Sequence, residues 1–269
     1  MVDALKLTAQ AWLAGSRPAM LVTVVRHRGS VPRETGTRML VAADGVAGSI
    51  GGGQLELQAI GRARDALDAG QRTPQLIDIA LGPSLGQCCG GALSLRTEAL
   101  DAAALAAWAD APPLFHLQLY GAGHVGRAIA RLLDGLPCAV QWIDERDSEF
   151  PAAPSAPHVQ RLCVEPVQAE VRQAPPGAFY LVLTHSHGLD QTITEAILQR
   201  GDFAYLGLIG SASKRARFLR RFERLGIAAQ TLARMTCPIG VPGIGGKQPE
   251  VIAIAVVAQL LGLATPRAS

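Results

Sequence analysis

Apolar positions in the first hundred residues alternate between helical and strand-like spacing. Residues 3–13 carry helical spacing, 20–25 form an unbroken apolar run suited to a buried strand, and residues 26–34 (Arg-His-Arg-Gly-Ser-Val-Pro-Arg-Glu) read as a polar loop. A hairpin follows over 37–41 with its turn at Asp44-Gly45, and Gly48-Ser49-Ile50-Gly51-Gly52-Gly53 then opens a helix. Leu55, Ala59, Ala63 and Leu67 recur every four residues, which lays one apolar stripe along that helix. Strand-like runs at 76–81 and 92–96 flank a glycine-rich connection that contains Cys88 and Cys89. An alanine-rich helix over 101–109 leads to Ala111-Pro112-Pro113, a natural joint between domains.

Beyond the prolines the pattern changes to regular alternation of strand and helix. A strand at 114–120, a helix at 123–133 and a strand at 139–144 make one βαβ unit. Apolar runs at 159–164, 179–184 and 203–209 add buried strands, with helices at 192–199 and 213–225 between and after the last two. The expected fold is therefore α/β: an N-terminal α+β domain over 1–112, then a Rossmann-like, doubly wound parallel-sheet domain over 113–269. A length of 269 residues agrees with two domains of ordinary size.

Composition narrows the classes. Hydrophobic residues make up 49% of the chain, which excludes general disorder. Charged residues are only 17%, below the roughly 25% of average domains, so surface is left over for partners and a homodimer is expected. A net charge of +3 with 4% aromatics gives neither the electrostatic footprint nor the stacking platform of a nucleic-acid binder. The first residues lack a basic stretch leading into an unbroken apolar run, and the apolar segment 251–264 is shorter than the ~18 residues of a membrane span. A cytoplasmic protein with no membrane partner is the expectation. Five cysteines (Cys88, Cys89, Cys138, Cys163, Cys237) argue against a disulfide framework, and Cys138 and Cys163 read as core strand residues.

Several segments could carry chemistry. Gly121-Ala122-Gly123-His124-Val125-Gly126 lies between a strand and a helix, where Gly121 permits the turn, Gly123 admits a pyrophosphate and Gly126 lets helix and strand pack closely. Asp144 closes the next strand, close to the ~20-residue distance at which an acid meets a ribose hydroxyl. An NAD(P)-dependent oxidoreductase, or another nucleotide in the Rossmann pocket, is thus one reading. Thr184-His185-Ser186-His187-Gly188-Leu189-Asp190 follows an interior strand, where His185, His187 and Asp190 could ligate a metal or simply bond loops and a cofactor. Gly210-Ser211-Ala212-Ser213-Lys214-Arg215 opens a helix whose free N–H groups and cations could hold a phosphate. Arg217, Arg220, Arg221 and Arg224 continue that helix against the single acid Glu223, as a solvated or a partner-facing surface. The segments 29–34 and 48–53 could wrap an oxygen-rich or phosphate-bearing ligand, and turn chemistry alone explains them equally well. No triad or paired-carboxylate site stands out, which suits binding and handover better than self-sufficient catalysis.

Together these segments resemble the xanthine dehydrogenase accessory protein family, XdhC/CoxI. The matching stretches are Gly29-Ser30-Val31-Pro32-Arg33, Gly48-Ser49-Ile50-Gly51-Gly52-Gly53-Gln54-Leu55-Glu56, Cys89-Gly90-Gly91, the Rossmann glycines, Thr184-His185 with Asp190, and Pro238-Ile239-Gly240 through Pro249-Glu250. The resemblance implies a chaperone, not an enzyme. It would bind molybdenum cofactor (molybdopterin), hold it while a cysteine desulfurase supports exchange of an oxo ligand for sulfur, and deliver it to xanthine dehydrogenase. Residue by residue, it implies Cys89 as a molybdenum-proximal thiol. The implied cofactor-binding set is Cys89, Gly90, Gly91, Ser30, Arg33, Gly51, Gly52, Gly53, Glu56, Gly121, Gly123, Gly126, Asp144, His185, Asp190, Ser211, Lys214 and Arg215.

Overall fold

The computed structural model describes residues 4–81, 90–109 and 112–264, so Cys88 and Cys89 lie outside the described residues. The chain divides between residues 110 and 111 into two compact units, each with its own sheet.

In the first unit the order is α1 (Ala4–Ala14), β1 (Ala19–Arg28), β2 (Arg38–Ala42), β3 (Gly45–Gly48), α2 (Gly53–Asp68), β4 (Gln75–Ala80), β5 (Ala92–Ala99) and α3 (Ala102–Ala107). The five strands form an antiparallel sheet in the order β3-β2-β1-β5-β4. Alternate residues of β1 serve opposite faces, as a pleated strand requires. Met20, Val22 and Val24 pack with Leu55, Ala59 and Ala63 of α2, whereas Leu21 joins Ala9, Ala104 and Trp108 on the side of α1 and α3. Burial on both faces is why this segment reads as unbroken apolar sequence. The strand does not stop at residue 25, where apolarity stops. After an irregularity between Val24 and Arg26, it continues with Arg26 opposite Ser94, His27 opposite Leu93 and Arg28 opposite Ala92. Backbone pairing with β5 holds these three polar residues in the sheet, and an apolar period cannot register that. Leu67 is only partly buried, and Ala66 completes the α2 stripe.

The second unit contains β6 (His116–Tyr120), α4 (His124–Leu133), β7 (Ala139–Asp144), β8 (Val159–Cys163), β9 (Phe179–Val182), α5 (His187–Arg200), β10 (Tyr205–Leu208), α6 (Ala212–Arg224), α7 (Ala229–Ala233), β11 (Met235–Thr236) and α8 (Pro249–Ala264). Its six strands are parallel in the order β11-β10-β9-β6-β7-β8. The chain therefore builds outward from β6 in one direction and returns to β9 on its other side, which puts the topological switch point between β6 and β9. Leu117 and Leu119 face α4 and α8 with Ile129 and Val256, while Tyr120 and Tyr180 face α5 and α6 with Ile193 and Phe218. Gln118 is buried in β6 and satisfied: its amide donates to Gln141 and to the Glu170 carbonyl, and its oxygen accepts from Tyr120.

Two cysteine expectations need correction. Cys138 is buried but precedes β7, where desolvation pushes its thiol up to about 11; Cys163 closes β8 and is exposed. Strand ends run out of the sheet, so apolar neighbours in sequence do not guarantee burial there. The helix expected from 192 begins at His187, because the Ser186 hydroxyl accepts from the Leu189 N–H and caps it five residues earlier. Among the described residues no helix is long and apolar enough to cross a membrane.

Candidate functional site

In the first unit, three segments far apart in sequence meet. A methyl group built on Gly91 would come within 2.8 Å of the Arg28 carbonyl oxygen and closer still to that of Ser30, and one on Gly51 would stand 2.6 Å from the Pro32 ring. Gly91 at the entry to β5 thus lies against the backbone of residues 28–30, and Gly51 of the loop before α2 against the Pro32 ring, at positions only glycine can fill. Gly51, Gly52 and Gly53 all have positive φ, and Gly52 caps α2 with no side chain. Among the described residues, the start of this 16-residue helix thus has no side-chain cap on its first N–H groups.

Glu56 shapes this loop. Its Oε2 accepts from the Ser49 hydroxyl at 2.5 Å and from the Ile50 and Gly52 N–H groups at 3.0 and 3.1 Å. Partial burial pushes its carboxyl up, but those hydrogen bonds outweigh it and hold the group below the usual carboxylate range. Glu56 therefore positions backbone donors through Oε2. Arg33 beside Gly51 is exposed and, among the described residues, has no ion-pair partner. Ser30 and Gly90 are exposed at the same place, Gly90 being the sequence neighbour of Cys89. The arrangement suits a phosphate: helix N–H groups without a side-chain cap, a loop of positive-φ glycines and a guanidinium with no ion-pair partner among the described residues.

In the second unit, the glycine loop has the geometry its sequence demands. Gly121 has φ +118° and leaves no room for a side chain against the Leu183 carbonyl, while Gly126 packs on the carbonyl of Gly121. Gly123 caps α4 with no side chain, so that helix also begins open. Asp144 stands where an acid would meet a ribose, but its carboxylate is occupied. Its Oδ2 accepts from the Ala122 N–H at 2.7 Å and from Arg146 at 3.1 Å, and its Oδ1 takes two more hydrogen bonds from Arg146, both at 3.0 Å. Four donors fill the four lone pairs. Burial raises this carboxyl and the Arg146 and Ala122 hydrogen bonds lower it further, so the net direction is down. Arg146, two residues after the acid, is a partner that the fingerprint spacing does not reveal.

Across the switch point, the carboxyl ends of β9 and β10 frame a cleft of about 300 Å³ lined by Thr184, His185, His187, Asp190, Gly210 and Lys214, with Ile209 and Ser211. Lys214 is buried, with 8% of its side chain exposed, and donates to Asp190 Oδ2 at 2.5 Å and to the Ile209 carbonyl at 2.8 Å. Asp190 Oδ1 accepts from the N–H and hydroxyl of Thr184 at 2.9 and 2.8 Å. The lysine expected to meet a phosphate is therefore already neutralised by a buried carboxylate. Asp190 faces that lysine, and among the described residues no three His, Cys, Asp or Glu side chains gather as a metal site. His185 instead reaches to 3.7 Å from Glu145 on the far side of β6, and Ser211 serves as the N-cap of α6. Arg215 is half-buried at the start of that helix.

The fold defines the class: a two-unit α/β protein with an antiparallel sheet in the first unit and a Rossmann sheet in the second. Residues 117–260 match the XdhC Rossmann domain family, and residues 12–79 match the XdhC and CoxI family. The chain belongs to the XdhC family. It is 33% identical over 257 residues to the uncharacterized protein YqeB of Escherichia coli (strain K12), an alignment that covers 91% of this chain and 43% of that protein, so the chain spans under half of that relative's length. A crystal structure from Bacillus halodurans, described as a xanthine dehydrogenase, shares the fold with a TM-score of 0.75 over 96% of this chain and 95% of that one, at 19% identity.

Proposed function

We propose that this chain takes part in xanthine dehydrogenase maturation by carrying the phosphate-bearing molybdenum cofactor as cargo. Family membership supports the tie to xanthine dehydrogenase. The observation that carries the cargo reading is the start of α2 without a side-chain cap, with Gly51–Gly53 in positive φ and, beside it, Arg33, which has no ion-pair partner among the described residues. A dianionic phosphate would accept from the open N–H groups and from the Arg33 guanidinium, while Glu56 keeps the loop in shape. Gly90 and Gly91 connect this surface directly in sequence to Cys89, which we assign as the thiol near the molybdenum. A cysteine desulfurase acting on the held cargo, and a homodimeric carrier, complete the proposal.

A second reading, an NAD(P)-dependent oxidoreductase, draws on the open start of α4 after Gly121 and Gly123. The filled lone pairs of Asp144 weigh against it, because a ribose hydroxyl would have to displace Arg146. The two readings separate on what the protein retains when purified without oxygen from cells that make molybdenum cofactor. Molybdenum with pterin supports the carrier; bound nicotinamide nucleotide in their absence supports the oxidoreductase.

A further inference from the structure

Helix α6 carries Lys214, Arg215, Arg217, Arg220, Arg221 and Arg224 against one acid, Glu223. Six cations and one acid give it +5 in a chain whose net charge is +3, so all other residues together carry −2. Lys214 turns inward to Asp190. Arg217, Arg220, Arg221 and Arg224 follow three- and four-residue spacing, which sets them in one exposed stripe beside the face that buries Phe218 and Phe222. None of them has a carboxylate partner within 4.0 Å among the described residues. Arg221 donates to the Gln191 side-chain oxygen, and Arg224 to the Arg220 carbonyl at 3.2 Å.

Cations three and four residues apart repel one another along a helix, and a merely solvated face would ordinarily intersperse acids with them. Among the described residues this face has no carboxylate paired with it. We propose that the arginine stripe of α6 is a docking surface for an acidic patch on a protein partner. The partner named here, xanthine dehydrogenase awaiting its cofactor, rests on the proposed function; the acidic character rests on the helix alone. The N-cap Ser211 and Lys214 of the same helix line the cleft, and the stripe runs from Arg217 to Arg224 along the helix beyond them. A nucleic-acid surface fits less well, because the aromatic residues of α6 point into the core and the rest of the chain is net negative.

The test measures association of the full chain with cofactor-free xanthine dehydrogenase from the same source, at low and at raised salt, for the natural chain and for R217E/R220E/R224E and R217Q/R220Q/R224Q. Expected are binding that weakens as salt rises, a roughly ten- to hundred-fold loss in the glutamate variant and a smaller loss in the glutamine variant. Both variants should keep the natural circular-dichroism spectrum, since Arg217, Arg220 and Arg224 are exposed, with a melting temperature close to natural, Arg217 giving up only its approach to 6.0 Å over the Phe218 ring. Affinity unchanged in both variants, or no association of the natural chain, would overturn the proposal. So would a stripe that instead binds random-sequence duplex DNA while contributing nothing to enzyme binding. Molybdenum and pterin content, measured in the same preparations, keeps the two proposals apart: an empty protein that still docks through the stripe refutes the cargo and leaves the docking surface standing.

Discussion

Lys214 Nζ lies 2.5 Å from Asp190 Oδ2 with both side chains buried, which joins the helix after β9 to the helix after β10 across the second unit's cleft. Removing one partner leaves a buried charge with no counter-ion, and that costs far more than the pair contributes. Asp190→Asn is expected to destabilise the chain by about 3–5 kcal/mol, read by urea unfolding of the intact protein. The double variant D190L/K214M removes both charges and should recover part of that loss, since the Thr184 donors and the Ile209 carbonyl still lose their partners, and a double variant as unstable as the single would count against this assignment.

Glu56 gathers the Ser49 hydroxyl and two backbone N–H groups, so Glu56→Gln should loosen the glycine loop without unfolding the sheet. About 1–3 kcal/mol of stability is at stake, because two backbone donors lose a charged acceptor. Faster hydrogen exchange confined to residues 49–53 is the expected signature, and unchanged exchange there would remove Glu56 from that role.

The carboxyls of Glu56 and Asp144 are both held below their ordinary range in the folded chain. Groups of this kind contribute stability that is fully present above the unfolded-state pKa and disappears as pH falls through the folded-state value. Melting temperature should therefore hold on acidification to near the ordinary carboxylate range, then fall below it. In E56Q and D144N that acid loss should be shallower, and an acid slope identical to the natural chain would show that neither group is the source.

Leu55 is fully buried between α2 and the first sheet. Leu55→Ala is expected to cost about 2–5 kcal/mol, as truncation of a well-packed core leucine does. Leu57, 64% exposed on the same helix, should tolerate alanine within about 0.5 kcal/mol, and thermal melts of the two variants make the comparison.

Much of the fold is legible in the sequence because burial leaves a period. The two-sided core of β1, the four-residue stripe of α2 and the strand-helix alternation of the second half all have one. Arg26–Arg28 escape that reading, since their place in β1 is secured by backbone pairs with β5 that impose no apolar side chain. The two-residue strand β11 is too short to show any period. For the sites, glycine positions are readable because only glycine fits them, as at Gly51, Gly91, Gly121 and Gly126. The direction in which a charged side chain turns is not. Glu56, Asp144, Asp190 and Lys214 all look like ligand contacts in the sequence, and in the structure each bonds the protein's own loops or its neighbour across the cleft. Arg33, with no such partner, is indistinguishable from them until the fold is known.

The most direct measurement is the molybdenum and pterin content of the natural chain, Arg33→Ala and Cys89→Ser, each purified without oxygen from cells that make molybdenum cofactor. The expected result is molybdenum and pterin together in the natural protein, with retention in Arg33→Ala weakened about ten- to hundred-fold through loss of a charge-assisted phosphate contact, and lowered in Cys89→Ser while the protein stays folded. A natural chain that holds neither, or an Arg33→Ala variant that retains both undiminished, would contradict the assignment of the cargo to the open end of α2.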